Sequence, residues 1–212
     1  MSLKLHVFPL SPRSFKVLCV ANHLNLDYEL KVVDLSKGEQ TRPEFAAINI
    51  NKKAPALEED GYCLWESNAI VQYLASKKPE SGLLPKDERA RADVSRWQFW
   101  ESTSFDPACA TLIFERVVKG MFGRGGPDPA EVEKGLARFN QAAAILNEHL
   151  KGKAYLCGNQ LTVADFAVGS ALIMTTPAQL PLESCAEVLR WYHTLAELPA
   201  WKKTLAAQKA SG

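Results

Sequence analysis

Strand signals in this chain end at Trp65, and helix signals carry everything that follows. A chain of 212 residues with its strand-forming segments confined to the first third cannot run one sheet through the whole molecule. It must divide into an α/β module and an all-helical module. Leu3, Leu5 and Val7 alternate with Lys4 and His6, which reads as a half-buried strand. Ser11 and Pro12 then read as a helix start, with serine at the cap and proline at the first helical position. Val17, Val20, Ala21 and Leu24 follow at helical spacing. Residues 28–35 read as a second strand. The apolar runs 54–59 and 62–65 flank Asp60-Gly61, a pair suited to the positive φ angles of a type I′ hairpin turn. A helix begins near Ser67 with Ile70, Tyr73 and Leu74 on one face. The expected order is β-α-β, a hairpin, then α.

Residues 78–87, polar and carrying Pro79, Gly82 and Pro85, read as a linker. A long aromatic-rich helix is expected from Glu88 to about Val118, bent near Pro107, and a glycine-rich loop over 119–129. Val132, Leu136, Phe139, Ala143, Leu146 and Leu150 step by 4 and 3 along an amphipathic helix. Thr162 and Asp165 have the spacing of a capping box ahead of a helix that is apolar on every side, and so belongs in the middle of a core. Ser184 and Glu187 repeat that spacing before Val188, Leu189, Trp191 and Tyr192. The expected domains are thus an α/β module over 1–77, a linker over 78–87 and an all-helical module over 88–212.

Composition removes several function classes. With 25 basic and 24 acidic side chains the formal charge is +1, a poor match for a nucleic-acid backbone or an anionic membrane surface. No window approaches the apolar length of a membrane span, and the N-terminal strand pattern stops at Pro9, short of a secretory leader. The five cysteines are odd in number and none lies within 25 residues of another, so reduced thiols in the cytoplasm are expected. The four histidines lack metal-ligand spacing, and no metal is expected.

Four features are candidates for chemistry, and each also has a plain structural use. Ser11 is a helix cap, or a hydroxyl beside the positive end of a helix that donates to an anion such as a thiolate. Ala54-Pro55 is an edge-strand proline, or a cis bond that turns the Ala54 N–H and C=O toward a bound peptide. Glu66-Ser67 is a second cap, or a pair that takes the ammonium and carboxylate of an α-amino-acid head group. Gln40, Thr41, Arg42 and Lys53 are a solvated surface, or the holder of a second carboxylate.

The run Phe8-Pro9-Leu10-Ser11-Pro12-Arg13-Ser14, the stretch from Asn49 through Lys53-Ala54-Pro55-Ala56-Leu57, the start Trp65-Glu66-Ser67-Asn68-Ala69-Ile70 and the distant Leu161-Thr162-Val163-Ala164-Asp165 together resemble the cytosolic glutathione S-transferase family. Ser11 stands six residues before Val17, as in its Ser-type classes, phi- and theta-like, bacterial or plant. Ser14 is the competing hydroxyl. The resemblance implies a thioredoxin-like α/β domain, an all-α helical bundle, cytoplasmic location and a homodimer built on the helices from Ser67 and Glu88. It implies glutathione as co-substrate, held by Ser11, Gln40, Arg42, Lys53, Ala54, Pro55, Glu66 and Ser67, with Ser11 catalytic. Where phi-like members carry His-Lys this chain has Gln40-Thr41, which leaves the glycine carboxylate to Lys53 or Arg42. Hydrophobic electrophiles would meet Leu10, Pro12, Phe105, Phe114 and Phe122 between the modules. The same site would serve glutathione-dependent peroxidase, isomerase or dehalogenase chemistry. A non-catalytic scaffold or a carrier of hydrophobic ligands is the reading from a different class.

Overall fold

A computed structural model of the chain describes residues 2–210. They divide into two compact units, residues 2–84 with 197–210, and Pro85–Ala196.

The first unit is built on a four-stranded sheet of order β2-β1-β3-β4, with β1 Leu3–Val7, β2 Glu29–Val32, β3 Ala56–Glu59 and β4 Tyr62–Trp65. β1 and β2 are parallel, joined through helix α1 (Pro12–His23); β3 runs antiparallel to both β1 and β4. The turn between β3 and β4 has φ of 48° at Asp60 and 85° at Gly61, the two positive values the Asp-Gly pair calls for. Leu5 pairs with Leu57, and Leu57 with Leu64, which aligns the apolar positions of three strands on one face. Against that face lie α1 and α3 (Ser67–Ser76). Eight consecutive residues of α1, Ser14 to Ala21, are buried. Each large apolar side chain so buried contributes about 1.5–3 kcal/mol.

The sequence reading lacks the short helix between β2 and β3, and places in a loop the three residues Lys119–Met121 that are helical. α2, Pro43–Ile48, is six residues long, too short to display a helical period. It covers the other face of the sheet through a small core of Val33, Phe45 and Ala56, flanked by Leu35 and Ile48. That cover is why His6, on the polar side of the β1 alternation, is 8% exposed; its Nε2 lies 3.3 Å from Glu58 Oε2. β2 is shorter than expected because it finds partners only along Lys4 to Val7.

A second difference concerns the C-terminus. Helix α10 (Pro199–Ala210) packs on α1 within the first unit, whereas the sequence reading assigns all residues after the linker to the helical module. Phe15 meets the Trp201 ring edge-on at 4.7 Å, and Asn22 Nδ2 donates to Thr204 Oγ1 at 2.9 Å. Phe15, Trp201 and Thr204 are all essentially fully buried, so this contact is part of the first unit's core.

In the second unit the segment from Glu88 to Met121 is one helical run with two π-helical stretches. α4 (Glu88–Trp100) passes through Glu101–Phe105 into α5 (Asp106–Ile113), and through Phe114–Val118 into α6 (Lys119–Met121). The wider π turns re-aim the chain without breaking it. Pro107 sits inside this run, just after the first π-helical stretch, where it has no N–H to donate to the preceding turn. α7 (Pro129–His149) closes on α5 at Gly135, where a Cβ would stand 3.0 Å from Leu112 Cδ2. α8 (Val163–Gly169) is buried at all seven positions. Asp165 holds its start: one carboxylate oxygen accepts from Leu156 N–H at 2.9 Å and Trp191 Nε1 at 3.0 Å, the other from Thr162 N–H and Oγ1. α9 (Ala186–Ala196) is capped differently from the Ser184–Glu187 expectation. Asn147 of α7 accepts from Glu187 N–H at 2.9 Å and Val188 N–H at 3.3 Å.

Candidate functional site

Three loops of the first unit carry the sequence candidates: the turn from β1 into α1, the segment leading into β3, and the start of α3.

Phe8 to Ser11 form a β-turn, closed by a 3.0 Å bond from Ser11 N–H to Phe8 C=O, with Pro9 at the second position that its fixed φ favours. Pro12 opens α1, and Ser11 sits at the cap with φ −83° and ψ 127°. The Ser11 side chain makes no cap hydrogen bond and is half-exposed, so its plain structural use is not taken up. Ser14 is the opposite case. It is fully buried, and its hydroxyl accepts a 3.2 Å bond from Phe8 N–H. Of the two hydroxyls, only that of Ser11 is available to a ligand.

The Ala54-Pro55 bond is cis. Pairing in β3 begins at Ala56, so Ala54 stands just outside the ladder with its backbone groups beyond the last strand pair. The preceding loop is held by Asn49, which is 1% exposed: its Nδ2 donates to Lys53 C=O at 2.6 Å and its Oδ1 accepts from Asn51 N–H at 2.9 Å. Asn49 opens the stretch Asn49–Leu57 that carries part of the family resemblance, but no local signal marks it as the brace of that loop.

Glu66 leads into α3 with φ 70° and ψ 112°. A non-glycine residue there costs about 1–3 kcal/mol, and such outliers persist where the surroundings over-determine them. Its side chain makes no cap bond and stays exposed, while Ser67, the first helical residue, is 9% exposed. The first-turn N–H groups of α3 have no carbonyl within the helix to donate to, and helix starts of this kind suit anions. A residue the sequence reading passes over lies beneath them. Lys16 of α1 is 1% exposed, and its Nζ donates to Asn68 Oδ1 at 3.2 Å, tying α1 to the second residue of α3. Fully buried lysines are rare, so one in the run Ser14 to Ala21 is a signal visible only once burial is known.

The remaining candidates separate. Gln40 lies in the 3₁₀ turn Glu39–Thr41 with a buried Oε1 that has no hydrogen-bond partner among the described residues. Arg42 is engaged by Glu39 at 3.2 Å and lines a groove of about 330 Å³ with His6, Lys31 and Phe45, along β2 and α2. Lys53 is exposed and, among the described residues, has no carboxylate partner, so it is the freer cation. Leu10 and Pro12 flank Ser11 half-exposed. In the second unit, Phe114 is 38% exposed and Phe122 half-buried. Phe105 does not fit its expected part. It is fully buried, stacked on Trp100 at 5.4 Å and beside Phe139 at 6.0 Å, so it is a core residue and lines no open surface. Among the described residues no group of three or more His, Cys, Asp or Glu side chains is placed to hold a metal ion. Burial pushes the Cys19 and Cys157 thiols up to about 12, and none of the five cysteines is in a disulfide.

A thioredoxin-like sheet with a cis-proline before β3, two helix N-termini beside it and a separate helical unit defines the class: this is the glutathione transferase fold. Residues 1–76 match the family model for the glutathione S-transferase N-terminal domain, and residues 129–202 the model for its C-terminal domain. Glutathione S-transferase 3 of Zea mays is 37% identical over 211 residues, covering 97% of this chain and 94% of its own length. Among solved structures, a glutathione S-transferase III in apo form superposes with a TM-score of 0.86 at 34% identity, covering 98% of this chain and 97% of that one. A glutathione S-transferase-I bound with lactoylglutathione gives 0.88 at 26% identity, covering 97% and 99%. The chain belongs to the glutathione S-transferase family.

Proposed function

We propose that this protein conjugates the thiolate of glutathione to small hydrophobic electrophiles, with Ser11 as the hydrogen-bond donor to the sulfur. The observation that carries this reading is the half-exposed Ser11 hydroxyl, without a cap bond, at the N-terminus of α1. A free thiol of pKa about 8.5 is only about 3% ionised at pH 7. Lowering that pKa by about 2 units requires roughly 2.7 kcal/mol of preference for the anion. A hydroxyl donating to a charged acceptor supplies about 1.5–3 kcal/mol. The helix end adds about 0.3–1 kcal/mol. The two together suffice without an enzyme base, so Ser11 acts as a donor and not as a nucleophile. The thiolate sulfur then forms a bond to the electrophilic carbon as the leaving group departs with its electron pair.

The rest of the tripeptide is assigned by chemistry. The first turn of α3 and Ser67 receive the γ-glutamyl carboxylate, Glu66 its ammonium, the backbone of Ala54 ahead of Pro55 the cysteinyl unit, and Lys53 with Gln40 the glycine carboxylate. Arg42, already paired, is the weaker candidate for that last contact. Leu10 and Pro12 offer apolar surface beside the sulfur, and the exposed Phe114 and half-buried Phe122 are the aromatic candidates from the second unit. Apolar walls select by burial, which favours breadth of substrate.

We further place the protein in the cytoplasm as a homodimer. No helix among the described residues is long and apolar enough to cross a membrane. Trp65, beside α3, is 39% exposed and Phe99 of α4 72%, apolar surface that a second copy would cover. Light scattering at micromolar concentration tests the dimer, and a monomeric mass removes it.

The decisive experiment is a pH titration of bound glutathione, followed by thiolate absorbance, in wild type and Ser11→Ala. The variant keeps its glutathione affinity, turns over more slowly and ionises the thiol at higher pH. An unchanged pH profile removes Ser11 from the mechanism.

A further inference from the structure

The aim of the Ser11 hydroxyl depends on a turn that local bonds fix only at its ends. Ser11 N–H reaches Phe8 C=O at 3.0 Å, Phe15 N–H reaches Ser11 C=O at 2.9 Å, and Phe8 N–H reaches Ser14 Oγ at 3.2 Å. None of these holds the middle peptide, between Pro9 and Leu10. Rotation of that peptide is what separates a type I from a type II turn. Leu10 is not among the residues with positive φ, so the turn has the type I sense.

The Pro9 carbonyl, which would swing through that rotation, has a partner 199 residues further along the chain: Gln208 Nε2 of α10 donates to it. Gln208 is 7% exposed, so its amide has been taken out of water and recovers a hydrogen bond here. α10 is itself anchored on α1 by Trp201 against Phe15 and by Thr204 with Asn22. It thus presents Gln208 from a fixed platform.

We propose that Gln208 is a positioning residue for the transferase reaction: by holding the Pro9 carbonyl it fixes the turn that aims the Ser11 hydroxyl. The inference rests on the assignment of Ser11 as donor to the sulfur. Gln208 acts only through the turn, so its loss leaves the Glu66, Ser67 and Ala54 contacts in place. The consequence falls on turnover and on the ionisation of the thiol, and leaves glutathione affinity alone.

The test uses the full chain in five forms: wild type, Gln208→Met, Gln208→Ala, Thr204→Val and Ser11→Ala. Gln208→Met keeps the shape and removes the donor, and Gln208→Ala removes it without adding bulk. Thr204→Val removes the α1–α10 bond to Asn22 but keeps Trp201 packed on Phe15 and Gln208 on the Pro9 carbonyl, and serves as the packing control. Both Gln208 variants are expected to lose turnover by about three- to tenfold, with KM for glutathione within about twofold of wild type. The pH midpoint of thiolate formation rises by about half a unit to one unit, each unit being tenfold in the protonation ratio. Thr204→Val shifts neither. Wild-type turnover and pH midpoint in the Gln208 variants, with Ser11→Ala displaced, overturn the inference and leave the Ser11 reading standing. The same displacement in Thr204→Val also overturns it, since general packing would then be the cause. An undisplaced Ser11→Ala overturns the Ser11 reading and the inference with it.

Discussion

The Ser14 hydroxyl accepts a 3.2 Å hydrogen bond from the Phe8 N–H, across the turn that carries Ser11. One serine holds the turn from inside while the other faces out of it. The two hydroxyls therefore differ in what their loss removes. Ser14→Ala leaves a backbone N–H without its partner, and we expect it to cost about 1–3 kcal/mol of stability. Its pH–rate midpoint should move less than that of Ser11→Ala, because the Ser11 donor is kept and only its turn is loosened. Urea unfolding and initial rates across pH check both halves, and a midpoint displaced as far as in Ser11→Ala would transfer the role assigned to Ser11.

Glu66 combines a strained backbone with a proposed contact to the ligand ammonium. Glu66→Gly relieves the φ of 70° and removes the carboxylate in one change. Stability is expected to rise by about 1 kcal/mol or more as the strain goes. KM for glutathione should rise by roughly ten- to a hundredfold, as a charge-assisted hydrogen bond of about 1.5–3 kcal/mol is lost. A variant both more stable and equally avid would show that the strain serves only the fold.

Asp165 collects four donors in the second unit from three residues: Leu156, Thr162 and Trp191. Burial pushes its carboxyl above the usual range, against the pull of those hydrogen bonds. Asp165→Ala orphans every one of these groups and is expected to cost about 3–5 kcal/mol. In a chain of this size that lowers the melting temperature by about 6–20 °C. Calorimetry decides, and a drop of under about 2 °C would mean that the four bonds contribute little net stability.

Three histidines make stability depend on pH near neutrality. Burial lowers His6, His23 and His149 below the ordinary value of 6.5, with the Glu58 contact opposing it at His6 and the Leu156 carbonyl at His149. A lowered histidine takes up its proton more readily in the unfolded chain. Stability therefore rises with pH up to about 6.5 and is lost on acidification below it. The urea midpoint is expected to fall between about pH 7.5 and about pH 5.5. The fall should shrink in His23→Gln, which removes an imidazole that burial holds below its ordinary value. An equal or higher midpoint at the lower pH would contradict the sign.

The local elements of the first unit were legible because their causes are local. Alternation over Leu3 to Val7, the Asp60-Gly61 turn and the Ser11-Pro12 start each depend on a few adjacent residues, and each stands where it was expected. The capping box at Thr162 and Asp165 belongs with them. α2 escaped because six residues show no period. Phe105 misled because an aromatic residue on a helix looks the same whether it fills a core or faces a ligand.

Sequence by itself determined the two modules, the strand and helix starts, and the two hydroxyls at the first turn, since dihedral preference and burial pattern are written in neighbouring residues. Tertiary structure decided which hydroxyl is free, and that Asn147 caps the helix expected to be capped by Ser184. It also decided that α10 returns to α1, with Gln208 on the Pro9 carbonyl, and that Lys16 is buried under α3. Those outcomes depend on which surfaces meet. An amphipathic face specifies that something must cover it, and only the packing of the whole chain selects what does.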